Sequence, residues 1–214
     1  MLSEYFKHCI QKATDATEVY EKEVIQELWS GYGQILRLGT NSKDFQSIVV
    51  KYVRLPKATS HPRGWDTDFS HERKIKSYQI EKYFYKYYSD HCHQHPFSYL
   101  PKCYGIEVQG EEVLMIFEDL DYSGYPLRKN SLTFSEVKTC LSWLAHFHAT
   151  FIDKNPEGLW KIGTYWHLDT RPDELKALED LTLKKSAPLI DKKLNDCQFK
   201  TFVHGDAKLA NFCF

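Results

Sequence analysis

Residues 202–214 carry the most specific pattern in this sequence. An apolar pair runs into His204-Gly205-Asp206, and Asn211 follows five positions after the Asp. An apolar strand that leads into an Asp and an Asn at this spacing is typical of loops that transfer phosphoryl groups. The alternative interpretation is a strand followed by an ordinary turn, in which Asp and Asn are common.

In the first interpretation, three side chains of this loop take part in the chemistry. Asp206 would accept the proton of an attacking hydroxyl, and Asn211 would bind a magnesium ion. Lys208, two residues after the Asp, would stabilise negative charge on the transferred group. The pattern therefore predicts Asp206 and Lys208 as catalytic residues and Asn211 as a metal ligand.

The overall charge and hydropathy exclude several classes of protein. A formal net charge of −1 over 214 residues indicates no basic surface, so we expect neither nucleic acid nor an anionic membrane as a partner. The longest strongly apolar run, residues 113–117, is far too short to span a bilayer, and the start of the chain has no signal-peptide pattern. The six cysteines include no Cys-x-x-Cys pair. We therefore expect reduced thiols in a soluble cytoplasmic protein.

The first half of the chain is predicted to contain helix, then a hairpin. Residues 1–28 are expected to be helix-rich, because their apolar residues lie loosely at helical spacing. Those residues are Val19, Val24, Ile25 and Leu28. β-forming residues at 29–38 and 47–53 are separated by the turn-type segment 41–44, which indicates a hairpin.

A long helix and a second hairpin follow, and after them the residue pattern predicts mainly helices. The helix is predicted over residues 70–88, and the hairpin joins residues 103–108 to residues 112–117. Thr133 and Glu136 have the spacing of a capping box, which predicts a helix to about residue 151. This helix is apolar on two faces and is therefore expected to be buried.

A further helix start is predicted at residues 170–173, where a Pro lies near the first helical position. The sequence thus predicts an α+β fold of two lobes. Residues 1–118 would form an N-terminal lobe with the sheet and one long helix. Residues 119–214 would form the first part of a helical lobe, which ends at the catalytic loop.

Lys51 is a candidate for holding the phosphates of a nucleotide. Alternation in its strand places it on the same face as Val49 and Val53, and a lysine on an apolar face needs an anionic partner. The alternative is an edge strand with an exposed lysine. Glu81, which interrupts an aromatic stripe on the long helix, is the favoured partner, and Glu72 on the same helix is the rival.

Two other segments are candidate ligand sites. Gly31 and Gly33 in the first hairpin would allow the backbone to approach a phosphate closely, although Gly-x-Gly also occurs in plain turns. The histidines at residues 91–95 are too close together for the usual zinc spacings, so a solvated loop is favoured there. His146 and His148 are expected to be buried packing residues with hydrogen-bond partners.

Taken in order, these segments resemble the choline kinase and aminoglycoside phosphotransferase superfamily, which has a protein-kinase-like fold. The resemblance is closest to its ecdysteroid-kinase-like branch. The segments that carry it are Leu-Trp-Ser-Gly-Tyr-Gly-Gln-Ile-Leu-Arg (28–37), 49–53, Glu-Lys-Tyr-Phe-Tyr (81–85), Phe-Glu-Asp-Leu (117–120), Leu-Ala-His-Phe-His-Ala (144–149), 163–175 and 202–214.

The resemblance implies ATP in a cleft between the lobes and Mg²⁺ as its metal ion. The adenine would meet backbone groups of the connector around Phe117 to Asp119. Lys51 would contact the α and β phosphates and pair with Glu81, and the acceptor would be a hydroxyl of a small molecule.

The same resemblance exposes one departure. Kinases of this kind have a further metal-binding Asp soon after the catalytic Asn, and here the sequence stops three residues after Asn211. The chain is therefore expected to be the first part of a longer kinase. A non-catalytic nucleotide-binding protein is the alternative, and a protein kinase is disfavoured by His-Gly-Asp. The identity of the acceptor and the oligomeric state stay open.

Overall fold

The computed structural model describes residues 2–28, 31–54, 68–94, 96–162 and 167–214. Within these ranges a five-stranded antiparallel sheet is followed by a helical part. The strands are β1 (Val19–Glu27), β2 (Gly33–Thr40), β3 (Ser47–Arg54), β4 (Cys103–Gln109) and β5 (Glu112–Glu118). The helices are α1 (Glu4–Thr14), α2 (Asp68–Tyr87), α3 (Ser89–His93), α4 (Phe134–Thr150), α5 (Pro172–Ala177) and α6 (Leu181–Asn195).

The sheet has the order β1-β2-β3-β5-β4, and both predicted hairpins are confirmed as β2–β3 and β4–β5. The expectation of helix up to residue 28 is wrong beyond Thr14, because residues 19–27 form the edge strand β1. Two register shifts, between Glu21 and Glu23 and between Val24 and Gln26, interrupt its pairing with β2. Each shift resets the alternation of the strand, so the apolar residues fall at spacings that resemble a helix.

Helix α1 covers one face of the sheet. Its Phe6 and Ile10 are fully buried against strand residues that include Val50 and Ile116. Ser3 caps the helix by accepting a hydrogen bond from the Phe6 amide, as N-cap serines do. Because the helix occupies this face, Val49 and Lys51 point to the other one, where α2 lies.

An aromatic cluster joins α2 to α4 and to the chain before the loop of residues 204–211. The Phe151 ring, at the C-terminal end of α4, stacks on Phe202 at 4.8 Å and contacts Phe84 of α2 edge to face at 5.8 Å. Tyr88 contacts Phe202 at 5.0 Å. Rings of this size bury the largest apolar area available to a chain and prefer such geometries.

Helix α4 starts as predicted, with Thr133 and Glu136 in a reciprocal capping box. The expectation that it is buried on two faces is wrong. Phe147 is buried, whereas Phe134 is 75% exposed and Leu141 is 59% exposed. In the described part of the chain no element covers the face of Phe134 and Leu141. An apolar face in a sequence does not show what packs against it.

Further predictions concern the cysteines, membrane-spanning helices, the start of α5 and the lobe boundary. All six cysteines are free thiols. None of the described helices is both long and apolar enough to cross a membrane. Pro172 occupies the first turn of α5, as predicted. The division at residues 118 and 119 stays a prediction, although every described strand precedes it.

We expect Phe151→Ala to lower the free energy of unfolding by about 3–5 kcal/mol, because a buried ring is replaced by a cavity at the junction of three segments. Urea unfolding followed by circular dichroism measures this change. Phe134→Ala, the same substitution at the exposed start of α4, is the matched control and is expected to cost less than about 0.5 kcal/mol. Equal losses for the two variants would contradict this account of the core.

Candidate functional site

An open cleft of about 3760 Å³ separates the helical part from the face of the sheet that carries Val49 and Lys51. Lys51 and Phe117 line its sheet wall, and Glu81 of α2 lies beside them. Asp206 and Asn211 line the same cleft from the other part of the chain. The fold thus brings together residues that are up to 160 positions apart in the sequence.

Lys51 and Glu81 form an ion pair. The Lys51 Nζ lies 2.6 Å from both carboxylate oxygens of Glu81. The side chains are 17% and 31% exposed, so water screens this pair less than a surface pair. Glu72, the rival partner, is exposed. The Lys51 ammonium also lies 5.4 Å from the centre of the Tyr78 ring, a cation–π contact from the same helix.

The loop of residues 204–211 folds back on itself. The Asn211 side-chain amide donates to the Asp206 backbone oxygen at 2.7 Å and to its Oδ2 at 2.9 Å. The Lys208 Nζ lies 3.2 Å from the same Oδ2. Gly205 has φ +76°, a left-handed conformation that glycine adopts at least cost. The three predicted loop residues are therefore in mutual contact and exposed to the cleft.

Two histidine rings accept hydrogen bonds from backbone amides of this loop. The backbone amide of Asp206 donates to His204 Nδ1 at 3.3 Å, and the amide of His204 donates to His148 Nε2 at 3.4 Å. Both ring nitrogens must be unprotonated to accept. Burial lowers the pKa of each imidazole; at His204 the charge of Asp206 opposes this effect and His148 adds to it. Both histidines have the expected hydrogen-bond partners, since His146 Nδ1 lies 2.7 Å from the Ser142 carbonyl oxygen, but His146 is exposed rather than buried.

The connector is fixed by an ionic network that the sequence analysis missed. The side chain of Asp119 is 1% exposed, accepts from Arg37 Nε at 2.9 Å and accepts from the Ser47 hydroxyl at 2.6 Å. Arg37 also contacts Glu23 and Asp121. The Asp119 carboxylate is therefore occupied, and only the backbone of this residue could meet a ligand. The sequence signal that could have indicated this network is an arginine between two leucines of a strand.

Phe117 and Glu118 end strand β5 at the cleft. Phe117 is buried and lies 4.6 Å from the Tyr85 ring of α2. The Glu118 carboxylate accepts from the hydroxyls of Tyr99 and Ser123, both at 2.6 Å, and from the Lys102 amide at 3.1 Å. Burial opposes its ionisation, but these hydrogen bonds outweigh burial and hold the pKa of Glu118 below its usual value.

The glycine segment is a tight turn between β1 and β2. Gly31 has φ +71°, and Gly33 has φ +132° with the Tyr52 carbonyl oxygen only 2.0 Å from where a Cβ would stand. The Gly31 amide donates to the Leu28 carbonyl at 3.1 Å, within the turn. Both glycines are thus required by the turn itself, and a phosphate-binding role stays a prediction. Ser30 lies outside the described residues.

The loop offers oxygen atoms that suit a hard cation. Within the ranges described, no group of three or more His, Cys, Asp or Glu side chains could hold a metal ion by itself. The Asn211 nitrogen is used by Asp206, which leaves the Asn211 carbonyl oxygen and Asp206 Oδ1 as donors. Two such oxygens, completed by phosphate oxygens and water, fit the coordination that Mg²⁺ prefers.

The histidine-rich segment has structural partners. It forms helix α3 rather than the expected loop. His91 Nδ1 and His93 Nε2 lie within hydrogen-bond distance of the Tyr88 and Leu100 carbonyls, at 3.2 Å and 3.0 Å. His95 lies outside the described residues. The prediction that this segment is not a zinc site stays a prediction.

A scan against family models matches the ecdysteroid kinase-like family over residues 36–157. The chain belongs to this family. The matched range contains Lys51, Glu81 and the connector, and it ends before the loop of Asp206. Together with the sheet and the helices that follow it, membership agrees with the predicted α+β, protein-kinase-like fold.

No curated protein matches the chain. Among solved structures it is similar to one described as "Structure of vaccinia related kinase 3", with 14% sequence identity and a TM-score of 0.27. The match covers 69% of this chain and 48% of the other, so the chain spans about half the length of that kinase. At this TM-score the likeness carries no argument.

We expect Glu118→Gln to lower the free energy of unfolding by about 1–3 kcal/mol at pH 7, because a carboxylate that accepts three hydrogen bonds becomes an amide. The folded pKa of Glu118 is depressed, so its contribution is present above the unfolded pKa and is lost as the pH falls through the folded pKa. The difference between variant and wild type should therefore shrink towards pH 3.

Urea unfolding at pH 7 and pH 3 measures this change. Glu111→Gln, at the exposed tip of the β4–β5 turn, controls for the loss of one carboxylate. A Glu118→Gln effect that is equal at the two pH values would contradict the interpretation.

Proposed function

We propose that this protein is an ATP-dependent phosphotransferase that transfers the γ-phosphoryl group to a hydroxyl of a small molecule. The observation that carries the proposal is the shared cleft: the Lys51–Glu81 ion pair opens into it from one side and the Asp206 loop from the other. Phosphoryl transfer needs little more than a held polyphosphate and a positioned carboxylate. Membership in the ecdysteroid kinase-like family supports a kinase.

Lys51 is suited to hold phosphate oxygens. An ammonium group has three donors, and the two Glu81 oxygens account for two of them. The remaining donor and the positive charge are available to an anion in the cleft. Glu81 would fix the position of Lys51, because a flexible lysine held by two oxygens loses less freedom when the phosphate binds.

Asp206 is suited to accept a proton. Its Oδ2 is occupied by Asn211 and Lys208, so its Oδ1 is left to face the hydroxyl of an acceptor. The exposed Lys208 is near enough to move from Asp206 to the transferred group, where its charge would oppose the developing negative charge. A magnesium ion bound by the Asn211 carbonyl oxygen and by phosphate oxygens would neutralise phosphate charge.

Nucleotide binding without transfer is the second candidate. The family match covers Lys51, Glu81 and the connector and ends before the Asp206 loop, so the loop residues assigned to transfer lie outside the matched range. In this version Lys51 and Glu81 act as proposed, while the Asp206–Lys208 contact is only structural. The two candidates differ in whether ATP is consumed.

We expect ATP to bind in a calorimetric titration and to bind more tightly with Mg²⁺ than with a chelator, because the cation offsets repulsion between the phosphates and the cleft carboxylates. Lys51→Met should weaken ATP binding by about tenfold or more, since it removes a charged contact to phosphate. If wild-type protein bound no ATP in either condition, both candidate functions would be wrong.

Asp206→Asn separates the two candidates. We expect ATP affinity to change less than about threefold, and ATP consumption with a panel of hydroxylated small molecules to fall by about 10²–10⁴-fold, because a general base is removed. Asp196→Asn is the matched control: that side chain is 61% exposed, close to the 62% of Asp206, pairs with Lys192 of α6 and does not line the cleft. Unchanged consumption in Asp206→Asn would reject its role as base.

A further inference from the structure

A second lysine faces the cleft from α2. Lys74 lies four residues before Tyr78 and seven before Glu81, so the three side chains share one face of the helix. All three line the cleft. Nothing in the sequence pattern singled out Lys74, because the helix is dense in lysine and tyrosine throughout.

The Lys74 ammonium reaches the glycine turn. It lies 5.9 Å from the centre of the Tyr32 ring and 5.8 Å from that of the Tyr78 ring. Tyr32 is the residue between Gly31 and Gly33, and its ring is buried 6.1 Å from Tyr78. Lys51 contacts the same Tyr78 ring. Two ammonium groups therefore share one aromatic residue beneath the turn.

Lys74 lacks the counter-ion that Lys51 has. Both oxygens of Glu81 are bound to Lys51, and Lys74 forms no ion pair within the described ranges. Burial lowers the pKa of Lys74, the charge of Lys51 lowers it further, and Glu81 raises it. A half-buried cation beside a second cation is costly unless an anion joins them.

We propose that Lys74 and Lys51 together form a two-lysine site for the phosphate oxygens of the nucleotide, with Lys74 on the side of the glycine turn. This inference rests on the proposed function, since it assigns a residue to the same nucleotide. The phosphates would supply the missing counter-charge. The adenine, at the connector, would not contact Lys74.

Lys74→Met tests this assignment because methionine keeps the length and the packing over both tyrosine rings while it removes the charge. Lys86→Met is the matched control, since Lys86 is exposed on the last turn of the same helix and is not part of the cleft. Calorimetry with ATP and competition with adenosine, on wild type and both variants, give the two affinities.

We expect Lys74→Met to weaken ATP binding at least about tenfold and adenosine binding less than about twofold, with Lys86→Met unchanged for both. Equal losses for ATP and adenosine would mean that Lys74 only supports the fold and would overturn the proposal. Normal ATP binding by Lys74→Met would overturn it and leave the proposed function intact. Failure of the wild type to bind ATP would reject the proposed function and this inference together.

Discussion

The aromatic contact between α2, α4 and Phe202 is the interaction on which the candidate site depends. Phe84 lies three residues after Glu81 on α2, so seating its ring in the cluster fixes the rotation that turns Glu81 towards Lys51. Phe202 precedes Asp206 by four residues, and its stacking on Phe151 anchors the start of the Asp206 loop. One apolar cluster thereby sets both walls of the cleft.

Polar contacts fix what the aromatic cluster does not reach. Arg37 and Ser47 hold the Asp119 carboxylate at the end of β5, and the Trp143 indole donates to the Tyr99 carbonyl at 2.8 Å across the connector. Leu127 and Phe214 exchange backbone hydrogen bonds of 2.7 and 3.0 Å. Because a buried polar group is costly unless paired, the contacts of the buried Asp119 carboxylate favour one arrangement of the connector and the sheet.

Local signals were enough for much of the fold. The β2–β3 and β4–β5 hairpins, the long helix α2 and the capping box of α4 follow from alternation, turn residues and caps, which depend on neighbours in sequence. The edge strand β1 was missed because two register shifts disturb its period. The burial of α4 was overestimated because an apolar face does not state what covers it. The Arg37–Asp119 network was missed because it joins residues 82 positions apart.

The functional groups of the candidate site could be predicted from the residues alone: a lysine in an apolar strand, an acid in an aromatic helix, and a His-Gly-Asp loop with Asn five residues after the Asp. Residue type and short spacing carry that information. Three features of the site appear only in the folded protein. Lys51 binds Glu81 rather than Glu72, the Asp119 carboxylate pairs with Arg37, and Lys74 lies beneath the glycine turn beside Lys51. The contacts of Lys51 and Lys74 depend on how α2 packs on the sheet, and that of Asp119 depends on the pairing of strands, and both are set by contacts between distant segments.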